Sequence, residues 1–313
     1  LSMERHGKRY PYIRAGFIAL VALVAWYFPT IAAMAESDPY HLRIAFSNKA
    51  FVSVPKEDIR VAVQVLTKKV ARKSDISAES RIIENTSEIE KDLKAKKVDL
   101  IAVSPEEFIQ IRGRMPLEPV MVTVDNKSHE VELLLLARKD SGINRVADLK
   151  NRSIALPSKT SQFGAMYQIW SETLIMKEGV GSLGAFFSAV VETRNASQAV
   201  MPVFFRKIDA CVVSSRSFEL ASELNPQIAR ELKVIARIGK LCGGIIAQRG
   251  DLPEEIKLKI RRALTTLHED QEGRQMFVLF QLNRLTPFRP EYLWATEALY
   301  SEHRSLKLHI ARR

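Results

Sequence analysis

The sequence predicts an α/β protein whose chain forms two α/β lobes facing each other across a cleft. Three observations carry this expectation. From residue 42 onward, short β-branched runs alternate with amphipathic helical stretches, the pattern of βαβ units with mostly parallel sheets. The alternation occurs as two series, separated by the long apolar run VELLLLARK at residues 131–139. Finally, 313 residues exceed what a single core commonly organises, so two domains are expected.

The elements follow in order. Residues 1–14 carry Arg5, Lys8, Arg9 and Arg14 against the single acid Glu4, and residues 15–28 are apolar up to Pro29. That run is shorter than the roughly 20 residues a membrane-spanning helix needs, and it matches the charged and apolar regions of a signal peptide. Ala33-Met34-Ala35 fits a small-x-small cleavage site, so residues 1–35 are expected to be removed before Glu36. The alternative is a retained N-terminal anchor, because the apolar stretch continues thinly to Ala35. No Cys lies at the cleavage point, so a lipid anchor is not expected.

In the first series, strands are expected at residues 42–46, 81–85, 99–103 and 120–124, with helices at 56–73 and 87–96. Residues 131–139 read as a strand leaving this lobe. The second series has strands at 153–157, 188–193, 209–213 and 232–238, with helices near 162–178 and 197–205. A short strand at 243–249 then returns the chain, and Ile256, Ile260, Leu264 and Leu267 form one stripe of a helix opened by Pro253. The expected lobes are residues 40–130 with 248–313, and residues 135–245. Two crossings, at 131–139 and 243–249, would form the hinge. Ligands of open α/β sheets sit outside the carboxyl ends of the strands, so the cleft is the expected site.

Charge and composition narrow the function. The net charge is +11, and loss of four basic residues and one acid with residues 1–35 leaves +8. The Lys and Arg are scattered among Asp and Glu, so a nucleic-acid surface is not expected, while attraction of an anionic solute is compatible. Cys211 and Cys242 are too few for a disulfide scaffold, and they read either as two buried thiols or as one disulfide. His41, His129, His268, His303 and His309 make no metal-ligand spacing, and there is no G-x-S-x-G or P-loop. The expectation is a non-enzymatic, monomeric protein without a cofactor.

At residues 146–167, VADLKNRSIALPSKTSQFGAMY, an Asp-Leu-Lys turn, a basic residue, a short strand and a hydroxyl-rich loop run into a helix. This resembles the phosphate/phosphite/phosphonate-type solute-binding proteins of ABC transporters. The similarity resumes at residues 207–219, KIDACVVSSRSFE, and at 245–277, where an Asp-Leu-Pro turn, a long helix and a D-x-E-G ending follow a strand. The resemblance implies a type 2 periplasmic-binding-protein architecture, a periplasmic location, capture of a small solute by lobe closure, and delivery to an ABC permease. Closure that signals to an envelope sensor is the alternative. Members that bind phosphonates usually carry Ser-His where this chain has Asn195-Ala196-Ser197-Gln198, and Lys207 replaces the family's Gly before Asp209. These departures count against phosphonate itself and leave phosphate-like anions, sulfonates, organic acids and small neutral compounds.

The candidate contacts all lie beside predicted strands. Ser158, Lys159, Thr160 and Ser161 stand between a strand end and a helix start, where free amides and hydroxyls converge on an anion. Thr160 or Ser161 equally fits a helix cap. Ser104 follows the strand of residues 99–103 and also fits a capping box with Glu107, with Pro105 at the first helical position. Ser47 and Asn48 follow the first strand. Arg194 follows the strand of residues 188–193 and offers a guanidinium for a bidentate grip, or lies exposed. Asp209 matches the family's second-lobe Asp, either contacting the ligand or holding the backbone at the strand entrance, and Ser214 and Ser215 end that strand.

Overall fold

The computed structural model describes residues 40–50, 56–125, 128–159, 163–280 and 282–312. The expected signal segment lies outside these residues. Among the described residues no helix is long and apolar enough to cross a membrane.

The first sheet has six strands in the order β11-β4-β10-β3-β1-β2. The chain enters it through β1 (His41–Ser47), a 3-10 turn (Asn48–Ala50) and α1 (Lys56–Ser74). It continues through β2 (Ser77–Ile83), α2 (Thr86–Lys94), β3 (Leu100–Val103), α3 (Pro105–Arg112) and β4 (Leu117–Val124). β1 pairs in parallel with β2 and β3. β2 begins four residues before the run expected at 81–85, because it is an edge strand whose polar residues alternate with half-buried ones. An edge strand needs no continuous apolar run. Asn85, expected as its last residue, instead caps α2 by accepting from the Glu88 amide at 2.8 Å.

The second sheet has the order β7-β6-β8-β5-β9. Its elements are β5 (Glu130–Arg138), a 3-10 turn (Val146–Leu149), β6 (Ser153–Pro157), α4 (Gly164–Lys177), α5 (Leu183–Phe186), β7 (Ala189–Thr193), α6 (Ala196–Phe204), β8 (Ala210–Ser214), α7 (Ser215–Leu224), α8 (Pro226–Glu231) and β9 (Leu232–Cys242). One face packs Leu133, Leu135, Tyr167, Trp170 and Phe186. The other packs Leu134, Leu136, Val200, Val203 and Cys211. Alternate residues of β5 feed the two cores, as the twofold period of a strand covered on both faces requires.

The chain then returns to the first sheet with β10 (Ile245–Arg249), α9 (Glu254–Thr265), α10 (Gln271–Leu279) and β11 (Arg284–Pro287), followed by a 3-10 turn (Pro290–Leu293) and α11 (Trp294–Ala311). β10 pairs antiparallel to both β3 and β4. β11 is a short antiparallel edge strand with Pro287 at its end, a position that tolerates the missing donor. The D-x-E-G ending acquires a physical reason here. Asp270 caps α10 by accepting from the Gly273 amide at 2.8 Å and receives Lys69 Nζ of α1 at 2.5 Å. A Cβ on Gly273 would sit 1.6 Å from the Leu267 carbonyl oxygen, so only glycine lets α10 approach α9.

The C-terminal helix corrects the expected lobe division. Residues 294–311 were assigned to the first lobe by chain order, but Leu299 belongs to the second-lobe core, with Ala295 and Tyr300 packed against it. Polar contacts reinforce this: Lys177 pairs with Glu302 at 2.9 Å, and His303 Nε2 meets Glu172 at 2.7 Å. The reason is geometric, since α4 offers an apolar partner for the buried stripe of α11.

Strand directions orient the two sheets. β4 leaves the first sheet at its carboxyl edge and feeds β5, which runs antiparallel to β8 and β9. β9 ends at the carboxyl edge of the second sheet and returns to β10. Both crossings, residues 125–129 and 243–244, therefore join carboxyl edges, and the turn before α11 makes a third. They are bonded to one another. The Gly244 amide donates to Thr123 Oγ1 at 2.8 Å, the Gly243 amide to the His129 carbonyl at 3.2 Å, and the Cys242 amide to Thr296 Oγ1 at 2.9 Å. The His129 ring lies 3.8 Å from that of Tyr292.

Candidate functional site

The joined carboxyl edges are where the strand-end residues gather, and their hydrogen bonds divide them into frame and contact surface. In the first lobe Glu107 is the hub of the frame. Its buried carboxylate accepts from Ser47 Oγ at 2.9 Å, from the Ser104 amide and hydroxyl at 3.1 Å each, and from Thr86 Oγ1 at 3.3 Å. This one side chain ties the ends of β1 and β3 to the start of α2. Ser104 caps α3 in a full capping box with Pro105 at the first helical position, so both serine hydroxyls are committed within the lobe. Lys49 Nζ lies 3.7 Å from Glu107. Asn48 lines a separate hollow with Ile59, Arg60, Val63, Gln64 and Arg81.

Glu106 differs from its neighbour. It is only 3% exposed, and its Oε2 has no hydrogen-bond partner. Burial pushes its carboxyl up, with the charge of Glu107 adding to the effect, since burial disfavours the charged form. Tyr300 of α11 carries a second buried, unpartnered hydroxyl. Burial raises it, and the charges of Glu106 and Glu107 raise it further.

In the second lobe, β6 ends at Pro157 and the Ser158 amide donates to the Thr193 carbonyl at 2.8 Å, so the ends of β6 and β7 move as one. Lys159 is exposed. Thr160 and Ser161 lie outside the described residues. The N-cap position of α4 belongs to Phe163, which has φ of 58° and provides no side-chain cap. The reading in which Thr160 or Ser161 caps this helix concerns residues outside the described ones. Among the described residues no side chain caps the first-turn amides of α4, and free amides at a helix start suit an anion. Gly164 allows the tight turn: a Cβ there would meet the Ser158 carbonyl oxygen at 2.1 Å.

Arg194 is exposed and has no ion pair among the described residues. Its neighbour Asn195 caps α6 by accepting from the Gln198 amide at 3.1 Å. Ser214 caps α7, accepting from the Ser217 amide at 3.1 Å. The buried hydroxyl of Tyr167, which the sequence reading missed, is pushed up to about 12 by burial against opposing hydrogen bonds with Ser214. Tyr167 thereby anchors α4 to the end of β8.

Asp209 lies elsewhere. It precedes β8, and its carboxylate accepts from the Ser153 amide at 2.8 Å and the Ser153 hydroxyl at 2.6 Å, at the amino ends of β6 and β8. Burial would raise its carboxyl, but the Ser153 hydrogen bonds and the charge of Arg152 outweigh this and hold it low. Asp209 holds the backbone at the strand entrance, the second of the two roles the sequence left open to it, away from the carboxyl edge.

Phe163 links the two lobes' sites. It lines a cavity of about 90 Å³ that lies chiefly in the first lobe, between the sheet face of Ile44, Leu100 and Ala102 and the helix residues Val70, Leu264 and Phe277. At the carboxyl edge the same cavity is lined by Lys49, Ser104, Thr123 and Gly244. Phe163 therefore faces the first lobe. No cluster of His, Cys, Asp or Glu among the described residues is placed to hold a metal ion.

Residues 51–293 match the family model described as "ABC transporter, phosphonate, periplasmic substrate-binding protein". The chain belongs to this family. Solved structures show the same fold at low identity. A binding-protein component of an ABC phosphonate transporter from Pseudomonas aeruginosa is 17% identical with a TM-score of 0.60, covering 87% of this chain and 89% of its own. XAC2383 from Xanthomonas citri bound to ATP is 13% identical, with a TM-score of 0.65 and coverage of 86% and 98%. PhnD1 from Prochlorococcus marinus in complex with methylphosphonate is 14% identical, with a TM-score of 0.60 and coverage of 85% and 99%. No curated protein matches the chain significantly. The type 2 periplasmic-binding-protein architecture expected from the sequence is thus shown, with two α/β sheets joined at their carboxyl edges.

Proposed function

We propose that the protein is exported, captures a small anionic solute between its lobes, and delivers it to the membrane permease of an ABC importer. The observation that carries this reading is the start of α4: among the described residues no side chain caps it, Gly164 packs it against the backbone of Ser158, and Phe163 borders the first-lobe cavity. Family membership supports the transport role, and the phosphonate-type relatives support an anion.

The chemistry assigns different work to the candidate residues. Ser47, Ser104 and Ser214 hold the strand ends, because their hydroxyls are engaged with Glu107 or Ser217. Ser158, Lys159, Thr160, Ser161 and Arg194 are the residues proposed to meet the solute. Closure of the lobes about the three bonded crossings would bring Arg194 and the turn onto the solute, the hinge mechanism common to bilobal capture.

A thermal-shift screen of the chain from Glu36 onward tests the reading, using phosphate, phosphite, phosphonates, sulfonates and organic acids. A solute at a hundredfold its Kd stabilises the folded state by about 2.7 kcal/mol, which is a rise of several degrees. Replacing Ser158, Thr160 and Ser161 together by Ala should then weaken binding at least about tenfold, or roughly 1.4 kcal/mol. A screen in which every anion leaves the melting point unchanged would overturn the proposal, and unchanged affinity in the triple variant would overturn the site.

A further inference from the structure

We propose that Phe163 is an interlobe latch, a second-lobe side chain seated against the first-lobe cavity that holds the lobes together before any solute arrives. The latch needs no bound solute and stands apart from the binding-protein reading. Backbone conformation is its first support. Phe163 has φ of 58° and ψ of 11°, the left-handed region, where a bulky residue is an outlier because its Cβ crowds a carbonyl oxygen. The other non-glycine residues with positive φ are Asp75, Lys96, Asn151, Arg206 and Lys240, all polar or charged. Asp75, Lys96 and Arg206 stand just past helix ends, where a left-handed residue commonly closes the helix. Among the described residues Phe163 is the one apolar member of this set and the one that opens a helix. A strained residue persists where its surroundings over-determine it, and such residues gather at clamps and switches.

The surroundings of Phe163 belong to both lobes. On its own side it packs against the second-lobe core that contains Tyr167 and Trp170. On the other it lines the cavity of about 90 Å³ whose walls include Ile44, Val70 and Phe277. Among the described residues that line this cavity, Phe163 alone comes from the second lobe. The inner walls offer an aromatic ring apolar contact and offer water no hydrogen-bond partners. Separating the lobes would withdraw the ring and wet both ring and cavity mouth, so the hydrophobic effect opposes opening. Gly164, next in the chain, has no room for a Cβ beside the Ser158 carbonyl oxygen, and this close approach fixes where α4 starts and where the ring stands. Backbone strain and a seat in the opposite lobe thus meet in one residue.

The test is small-angle X-ray scattering of the chain from Glu36 onward in solute-free buffer, on the parent and three variants. Phe163→Gly removes ring and strain together. Phe163→Asn removes the ring and keeps a residue that tolerates the left-handed region, while Phe163→Leu keeps an apolar side chain. Loss of the ring is expected to move the closed-to-open balance about tenfold toward open. The Gly and Asn variants should therefore show a larger radius of gyration than the parent, with a smaller increase for Phe163→Leu. Far-UV circular dichroism shows whether each variant is folded; if Phe163→Gly is not, Phe163→Asn carries the comparison. An unchanged radius of gyration in the folded Gly or Asn variant overturns the latch and leaves the binding-protein reading standing, since that reading is tested by the anion screen. An increase as large in Phe163→Leu overturns the apolar seat.

Discussion

Replacing Gly164 by Ala asks whether the β6–α4 turn is built around a missing side chain. The added methyl would lie 2.1 Å from the Ser158 carbonyl oxygen and 2.7 and 2.8 Å from backbone carbons of Lys159. Ordinary contact begins near 3.4 Å, so helix or turn must shift by about 1.3 Å. Because the obstructing atoms are backbone, no rotamer change relieves the clash. Overpacking of this kind costs about 1–3 kcal/mol. Alanine's helix propensity returns at most about 1 kcal/mol, and less at a first helical residue. The net loss of about 1–2 kcal/mol lowers Tm by roughly 2–8 °C in a protein of this size. Gly113→Ala is the matched control: it ends α3 at φ −68°, and nothing lies within 4 Å of its Cβ. That variant should be neutral or up to about 1 kcal/mol more stable. Circular-dichroism melts of both variants decide the matter. If Gly164→Ala melts at or above the parent while Gly113→Ala behaves as stated, the close approach is refuted, and with it the account of the turn.

Other consequences are equally direct. Asp99 is fully buried and accepts from Arg43 Nε and Nη2 at 2.8 Å each, with Arg249 Nη2 at 3.2 Å. Asp99→Ala removes the buried carboxylate shared by two guanidiniums, of which Arg249 keeps Asp251 at 3.3 Å and Arg43 is one-third exposed, and should cost about 2–4 kcal/mol in urea unfolding; a loss below 1 kcal/mol would contradict that. The raised carboxyl of Glu106 makes the native state bind more protons than the unfolded chain just above the ordinary carboxylate range, so its contribution to stability falls as pH rises there. Glu106→Gln lacks this dependence, and its Tm advantage over the parent should grow from pH 4 upward; a constant difference from pH 4 to 8 would refute the assignment. Cys211 and Cys242 are both buried and free, in separate cores, and burial raises both thiols, Cys242 to about 12. A thiol reagent should therefore modify neither in the native protein and both in urea, and rapid native labelling would be inconsistent with this packing.

The strand-end serines show how far the sequence carried the site. Ser104 with Pro105 and Glu107 announced a capping box through residue type and spacing alone, because caps are local. That Glu107 also gathers Ser47 and Thr86 depends on three elements meeting in space, which no spacing encodes. Asp209 was singled out because it matches the resembled family's second-lobe Asp, with two roles open; strand direction places it at the amino end, where Ser153 claims it. Gly164 was an unremarked glycine until the backbone of Ser158 was seen folded against it.

What the sequence by itself determined is the alternation of strands and helices, the two series and the bilobal α/β class. These follow from the periodicity of apolar residues and from turn chemistry, which act over a few residues. Edge strand β11 and the first half of edge strand β2 escaped because a strand bonded on one side needs little apolar density. Tertiary structure alone decided that both crossings join carboxyl edges, that α11 closes the second lobe, and that Phe163 of one lobe borders an apolar cavity in the other. Those facts depend on strand direction and on packing between residues more than a hundred positions apart, where the complementarity of surfaces and not the local pattern selects the partner.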